Sequence, residues 1–104
     1  MEILNGILKE ELSRLENLKK SYESKLSKFL KGSLIKKEIK GHIYYYLNYR
    51  ERKKSIFKYL GKLDKEKISQ IKLKIEERRR LRKLYIQVKN NIIKLEKMLM
   101  YLKS

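Results

Sequence analysis

Between Gly32 and Leu63 the run GSLIKKEIKGHIYYYLNYRERKKSIFKYLGKL abandons the three-and-four spacing of apolar residues that governs the chain on either side. In its place stand β-branched and aromatic residues broken by turn signals, the pattern of short strands. A chain with helical periodicity before and after one such block has few ways to fold. The sequence therefore predicts an α+β protein, mostly α. It is a long antiparallel helical hairpin, coiled-coil-like, with a three-stranded antiparallel β-sheet inserted between its helices. The 104 residues suffice for one domain with a thin core: helix 1 over 1–31, the sheet over 32–63 and helix 2 over 64–104.

The helices follow from two apolar stripes. Leu4, Leu8, Leu12, Leu15, Leu18, Tyr22, Leu26 and Phe29 fall on one face of helix 1, and Gly32 after Lys28 and Lys31 is its expected stop. Asp64 is the expected N-cap of helix 2, with a stripe at Ile68, Ile71, Ile75, Leu81, Leu84, Val88, Ile92, Leu95, Leu99 and Leu102. Helix 2, at about forty residues, outruns helix 1 at about thirty. Laid antiparallel from the sheet, helix 1 is used up near Ile92. Leu95, Met98, Leu99 and Leu102 are then left to find a partner outside the chain, which predicts a homodimer through the C-terminal end.

Two turn signals divide the central block. Lys40-Gly41 is a two-residue hairpin turn that pairs Ile39 with His42 and Lys37 with Tyr44. Arg52-Lys53, or the wider Glu51 to Lys54, makes the second turn without glycine, and either version pairs Arg50 with Ser55. Alternation sends Leu34, Ile43, Tyr45, Leu47, Tyr49, Ile56 and Leu60 to one face, which should meet helix, along with Lys36, Glu38 and Lys58. Lys37, His42, Tyr44, Tyr46, Asn48, Arg50, Phe57 and Tyr59 go to the other, with Ile35 and Ile39.

Charge bears most directly on function. The formal net charge is +17, and self-repulsion of that size is relieved by a polyanionic partner. Residues 1–31 contribute only +2, whereas residues 32–63 carry nine Lys/Arg against two acids. The outer sheet face interleaves those cations with aromatic rings, which suits phosphates and bases together. Lys37, Lys40, His42, Tyr44, Tyr46, Arg50, Arg52, Lys53, Lys54 and Lys58 form the candidate nucleic-acid-binding set. Arg79 and Arg82, from the run EERRRLRK, would extend it along helix 2. The competing explanation is that the rings are cross-strand pairs that merely stabilise the sheet.

Catalysis has little to work with. The chain holds one histidine, one aspartate, no cysteine and four scattered glycines, so neither a metal cluster nor a phosphate-cradling loop is expected, and no cofactor. No tyrosine has an activating Arg/His set arranged around it. No apolar run approaches the ~20 residues of a membrane span, and the acidic N-terminal stretch is unlike a signal peptide; a cytoplasmic protein is expected.

The run GHIYYYLNYRERKKSIFKYLGKLD, residues 41–64, resembles a stretch near the N-terminus of some insertion-sequence transposases. It is also similar to short prokaryotic proteins in which such a segment precedes a long charged helix, and more distantly to the three-stranded arm-binding domains of tyrosine integrases. The resemblance implies a DNA-handling module from a mobile element or virus, with Tyr44, Tyr46, Arg50 and Lys58 on matching strand positions. It covers about a quarter of the chain, and Arg52-Lys53 replaces the glycine usual in the second turn. Two functions thus stand at the level of sequence: a non-catalytic nucleic-acid-binding module, and a protein-binding module, such as a phage-encoded inhibitor or assembly factor, acting on a nucleoprotein through its helical hairpin.

Overall fold

The computed structural model describes residues 2–103. In chain order it contains α1 (Glu2–Leu26), β1 (Ser33–Ile39), β2 (His42–Glu51), β3 (Lys54–Gly61) and α2 (Lys65–Lys103). Two long helices with an antiparallel sheet of order β1-β2-β3 between them in the chain make this the expected α+β, mostly α fold. Met1 and Ser104, the ends of the expected helices, lie outside the described residues. Two compact units result: one takes the chain up to Lys28 and from Arg80 onward, and the other is Phe29–Arg79. Among the described residues no helix is long and apolar enough to cross a membrane.

In the helical unit α1 runs antiparallel to the later part of α2. The Tyr85 hydroxyl donates to Glu23 Oε1 at 3.0 Å, while at the far end Leu4 lies beside Met98, Tyr101 and Leu102. The bond to Glu23 holds the Tyr85 phenol above its usual range. Leu15, Val88 and Ile92 form the core between these ends, with Leu12, Leu18, Tyr22 and Leu95 packed against it. A fully buried side chain of this kind contributes roughly 1.5–3 kcal/mol, so so small a core depends on each member. Tyr85 takes the inward position expected of Leu84, which is 40% exposed.

This register overturns the expected apolar overhang. Leu95 joins the core, Leu99 is buried and Leu102 is half-buried, so of the four residues assigned to oligomerisation only Met98 is exposed. The error lay in counting from the start of α2. Its residues up to Arg79 belong to the sheet unit, and the length that pairs with α1 begins only at Arg80.

The end of α1 also differs from expectation. The helix stops at Leu26, not near residue 31, because the Ser27 hydroxyl donates to the Ser24 carbonyl at 2.7 Å while Lys28 N–H closes a tight turn onto Lys25 O at 3.0 Å. Those bonds satisfy the last carbonyls without another helical turn. Gly32 is therefore no helix stop. It has φ of +111°, and a Cβ there would overlap the Asn48 carbonyl oxygen, so glycine lets the chain pass against β2. The start of α2 is as expected: Asp64 Oδ1 accepts from Lys67 N–H at 2.8 Å, and Asp64 O accepts from Ile68 N–H at 3.0 Å.

The sheet has the predicted registers, Ile39 with His42, Lys37 with Tyr44 and Arg50 with Ser55. Both hairpins turn on two residues of positive φ, Lys40 and Gly41 in the first (52° and 79°), Arg52 and Lys53 in the second (49° and 68°). Such turns follow the right-handed twist of the strands, and in the second one two non-glycine residues take the positive φ that this geometry demands. β2 continues past the start of β1, and Lys31 covers the exposed end by donating to Arg50 O at 2.6 Å. Leu47 of β2 and Ile75 of α2, each 5% exposed, are the buried apolar side chains described in this unit.

Candidate functional site

The two registers divide the sheet's charges unevenly. Lys37, Ile39, His42, Tyr44, Tyr46, Asn48, Arg50, Phe57 and Tyr59 share one face; both acids of the sheet, Glu38 and Glu51, fall on the other, paired with Ile43 and Lys54. One face is thus aromatic, basic and without a carboxylate.

Tyr59 of β3 is the centre of that face. Its ring lies 5.3 Å from the Tyr46 ring and 6.2 Å from the Tyr44 ring, tilted by 56° and 41°. The separations are those of attractive aromatic pairs. Together with Ile39 the three rings line a shallow concavity of about 450 Å³. Lys37 Nζ stands 5.6 Å from the centre of the Tyr46 ring and Lys62 Nζ 5.8 Å from that of Tyr44, within cation–π range. His42 closes the row, its ring 6.4 Å from Tyr44 and its Nδ1 3.5 Å from Lys62 Nζ.

Lys62 reaches this face because of a bulge. Tyr46 pairs with Tyr59, yet its neighbour Tyr45 pairs with Gly61, so Leu60 is left out of register. Beyond that extra residue the alternation of β3 reverses, and Lys62 follows Gly61 onto the side of Tyr44. Strict alternation sends Lys62 to the opposite face, and so it was missed. A glycine near a strand end, here Gly61, is the signal that could have marked the bulge.

The other candidates are spread more widely. Lys40 is in the first turn, Arg52 and Lys53 are in the second, and Arg50 is on the aromatic face near that second turn. Lys54 pairs with Glu51 and Lys58 with Leu47, both on the opposite face. Lys58 instead borders a hollow of about 310 Å³ with Phe29, Lys31 and Tyr49. Strand alternation, which put Lys58 on that opposite face at the level of sequence, separates both lysines from Tyr44 and Tyr46. Arg79 donates to Ser33 Oγ at the start of β1 at 3.1 Å. Arg82 belongs to the helical unit, close enough to Tyr85 to act on its ionisation. The structure thus gathers Lys37, His42, Tyr44 and Tyr46 of the candidate set with Tyr59 and Lys62, which that set omitted. Among the described residues no three His, Cys, Asp or Glu side chains are grouped to hold a metal ion.

Fold and site together define a small, strongly basic α+β protein whose sheet presents an aromatic surface flanked by lysines. Residues 6–70, more than half of the chain, match the family DUF6788, a domain of unknown function, and the chain belongs to that family. The match runs from α1 through the whole sheet into the first turns of α2. No curated protein and no solved structure matches the chain.

Proposed function

We propose that the aromatic face of the sheet binds nucleic acid, as a non-catalytic module. One observation carries the reading: Lys37 and Lys62 stand over tyrosine rings on the face that has no carboxylate. Ammonium groups there neutralise phosphates while the rings between them meet sugars and bases. The net charge of +17 draws a polyanion to the protein from a distance. The likeness of residues 41–64 to a transposase segment supports a DNA-handling setting in a mobile element or virus.

Fluorescence anisotropy with labelled oligonucleotides tests the placement. Lys37→Glu with Lys62→Glu removes as much positive charge as Lys36→Glu with Lys58→Glu, whose targets lie on the opposite face. The first pair should weaken binding by roughly tenfold more than the second, because only the first removes phosphate contacts. Equal losses from both folded variants would reduce the effect to overall charge and refute the site.

A protein partner of the helical unit is the second reading, favoured by Ile3, 83% exposed, and Ile7, 57% exposed, on the first turns of α1. It takes precedence if the protein shows no affinity for any nucleic acid near physiological salt.

A further inference from the structure

Resting on the reading that this face binds nucleic acid, we infer that its substrate class is unpaired nucleotides, whose bases stack on Tyr59 and Phe57, and not the grooves of a duplex.

Reading a duplex groove requires side-chain donors and acceptors aimed at base edges. The amide of this face that could serve is Asn48, and its Nδ2 is committed to Ser55 Oγ at 2.8 Å and to Ile56 O at 3.3 Å. Around Tyr59 the face offers rings and an isoleucine, the flanking Lys37 and Lys62 ammonium groups lie over tyrosine rings, and Arg50 stands apart near the second turn.

Rings require a different partner. The π-face of a base is covered by its neighbours in a duplex and open only in an unpaired strand. Phe57 and Tyr59 are 61% and 58% exposed, large aromatic surfaces turned to solvent on one strand of one face. Being two residues apart on β3, they advance by about 6.6 Å. That is close to twice the roughly 3.4 Å rise of stacked nucleotides along a strand, so bases that meet both rings come from a strand drawn open. The concavity of about 450 Å³ beside them lies within the range of roughly 300–1,000 Å³ that accommodates a small ligand. Lys37 and Lys62, over the Tyr46 and Tyr44 rings, are placed for the phosphates on either side. Ribose and deoxyribose strands share this chemistry, and the probes separate them.

The test measures the Kd of the full chain near physiological salt for four probes: an oligothymidylate, an oligouridylate of equal length, a duplex of matched phosphate count, and an abasic strand of the same charge. The oligothymidylate or the oligouridylate should bind about tenfold or more tightly than the abasic strand and the duplex, and the tighter of the two identifies the polymer. Tyr59→Ala and Phe57→Ala should each erode that preference, whereas Tyr59→Phe keeps the ring and should retain it. Both side chains are exposed, so the variants should keep the wild-type far-UV circular dichroism. A duplex or abasic strand bound as tightly as the unpaired probes would overturn the stacking inference. If Lys37→Glu with Lys62→Glu still weakened that binding, the sheet face would stand as the site and only the substrate class would fall. Absence of binding to all four probes would overturn both.

Discussion

The ammonium group of Lys62 lies 5.8 Å from the centre of the Tyr44 ring, although uninterrupted alternation along β3 would place the two on opposite faces. Leu60, standing out of register, brings them together, and Gly61 with φ of +82° completes the turn of the strand. The face thereby gains a second cation without any change in composition. Gly61→Ala forces a side chain into left-handed backbone and should cost about 1–2 kcal/mol. Gly61→Asn should cost less, since asparagine tolerates that conformation. Urea unfolding followed by circular dichroism measures both, and an alanine variant as stable as wild type would contradict this account of the bulge.

The second hairpin turn offers the opposite experiment. Arg52 and Lys53 both adopt positive φ, at 49° and 68°, where Asn-Gly is the favoured pair. Arg52→Asn with Lys53→Gly should stabilise the protein by about 1 kcal/mol, the relieved backbone strain being partly offset by the entropy that glycine adds to the unfolded chain. The urea midpoint should rise with an unchanged slope. A lower midpoint would mean that Arg52 or Lys53 makes contacts that outweigh their backbone cost.

Much of this architecture is legible in the sequence. The helical stripes, the Asp64 cap, both hairpin registers and the sorting of Tyr44 and Tyr46 from Leu47 and Tyr49 all follow from periodicity and turn chemistry, which act between near neighbours. What escaped depends on single local events with distant consequences. The Ser27 hydroxyl ends α1 early without disturbing the apolar spacing, and the extra residue at Leu60 reverses a strand with only the neighbouring Gly61 to mark the place. The helix pairing was misjudged for the same reason. Apolar spacing fixes which face of α2 is buried, but not which part of it meets α1.

Leu99 and Met98 separate that internal pairing from the expected dimer. Leu99 is buried within the helical unit and Met98 is 50% exposed. Leu99→Ala should cost about 2–4 kcal/mol of stability, whereas Met98→Ser should stay within about 0.5 kcal/mol. Thermal unfolding measures both, alongside sedimentation at several concentrations. A Leu99→Ala variant of wild-type stability, with a lost dimer, would instead place that leucine in an interface between copies.

The central claim, that Lys37 and Lys62 on the aromatic face contact phosphates, is tested most directly by the salt dependence of binding to an unpaired oligonucleotide. The logarithm of the affinity falls with the logarithm of salt concentration by roughly 0.7 for each phosphate neutralised on a single strand. Lys37→Ala with Lys62→Ala should therefore reduce the slope by about 1.4 relative to wild type. Lys36→Ala with Lys58→Ala, on the other face, should leave it nearly unchanged. Equal slopes for wild type and the Lys37/Lys62 variant would show that neither lysine meets a phosphate and would contradict the site.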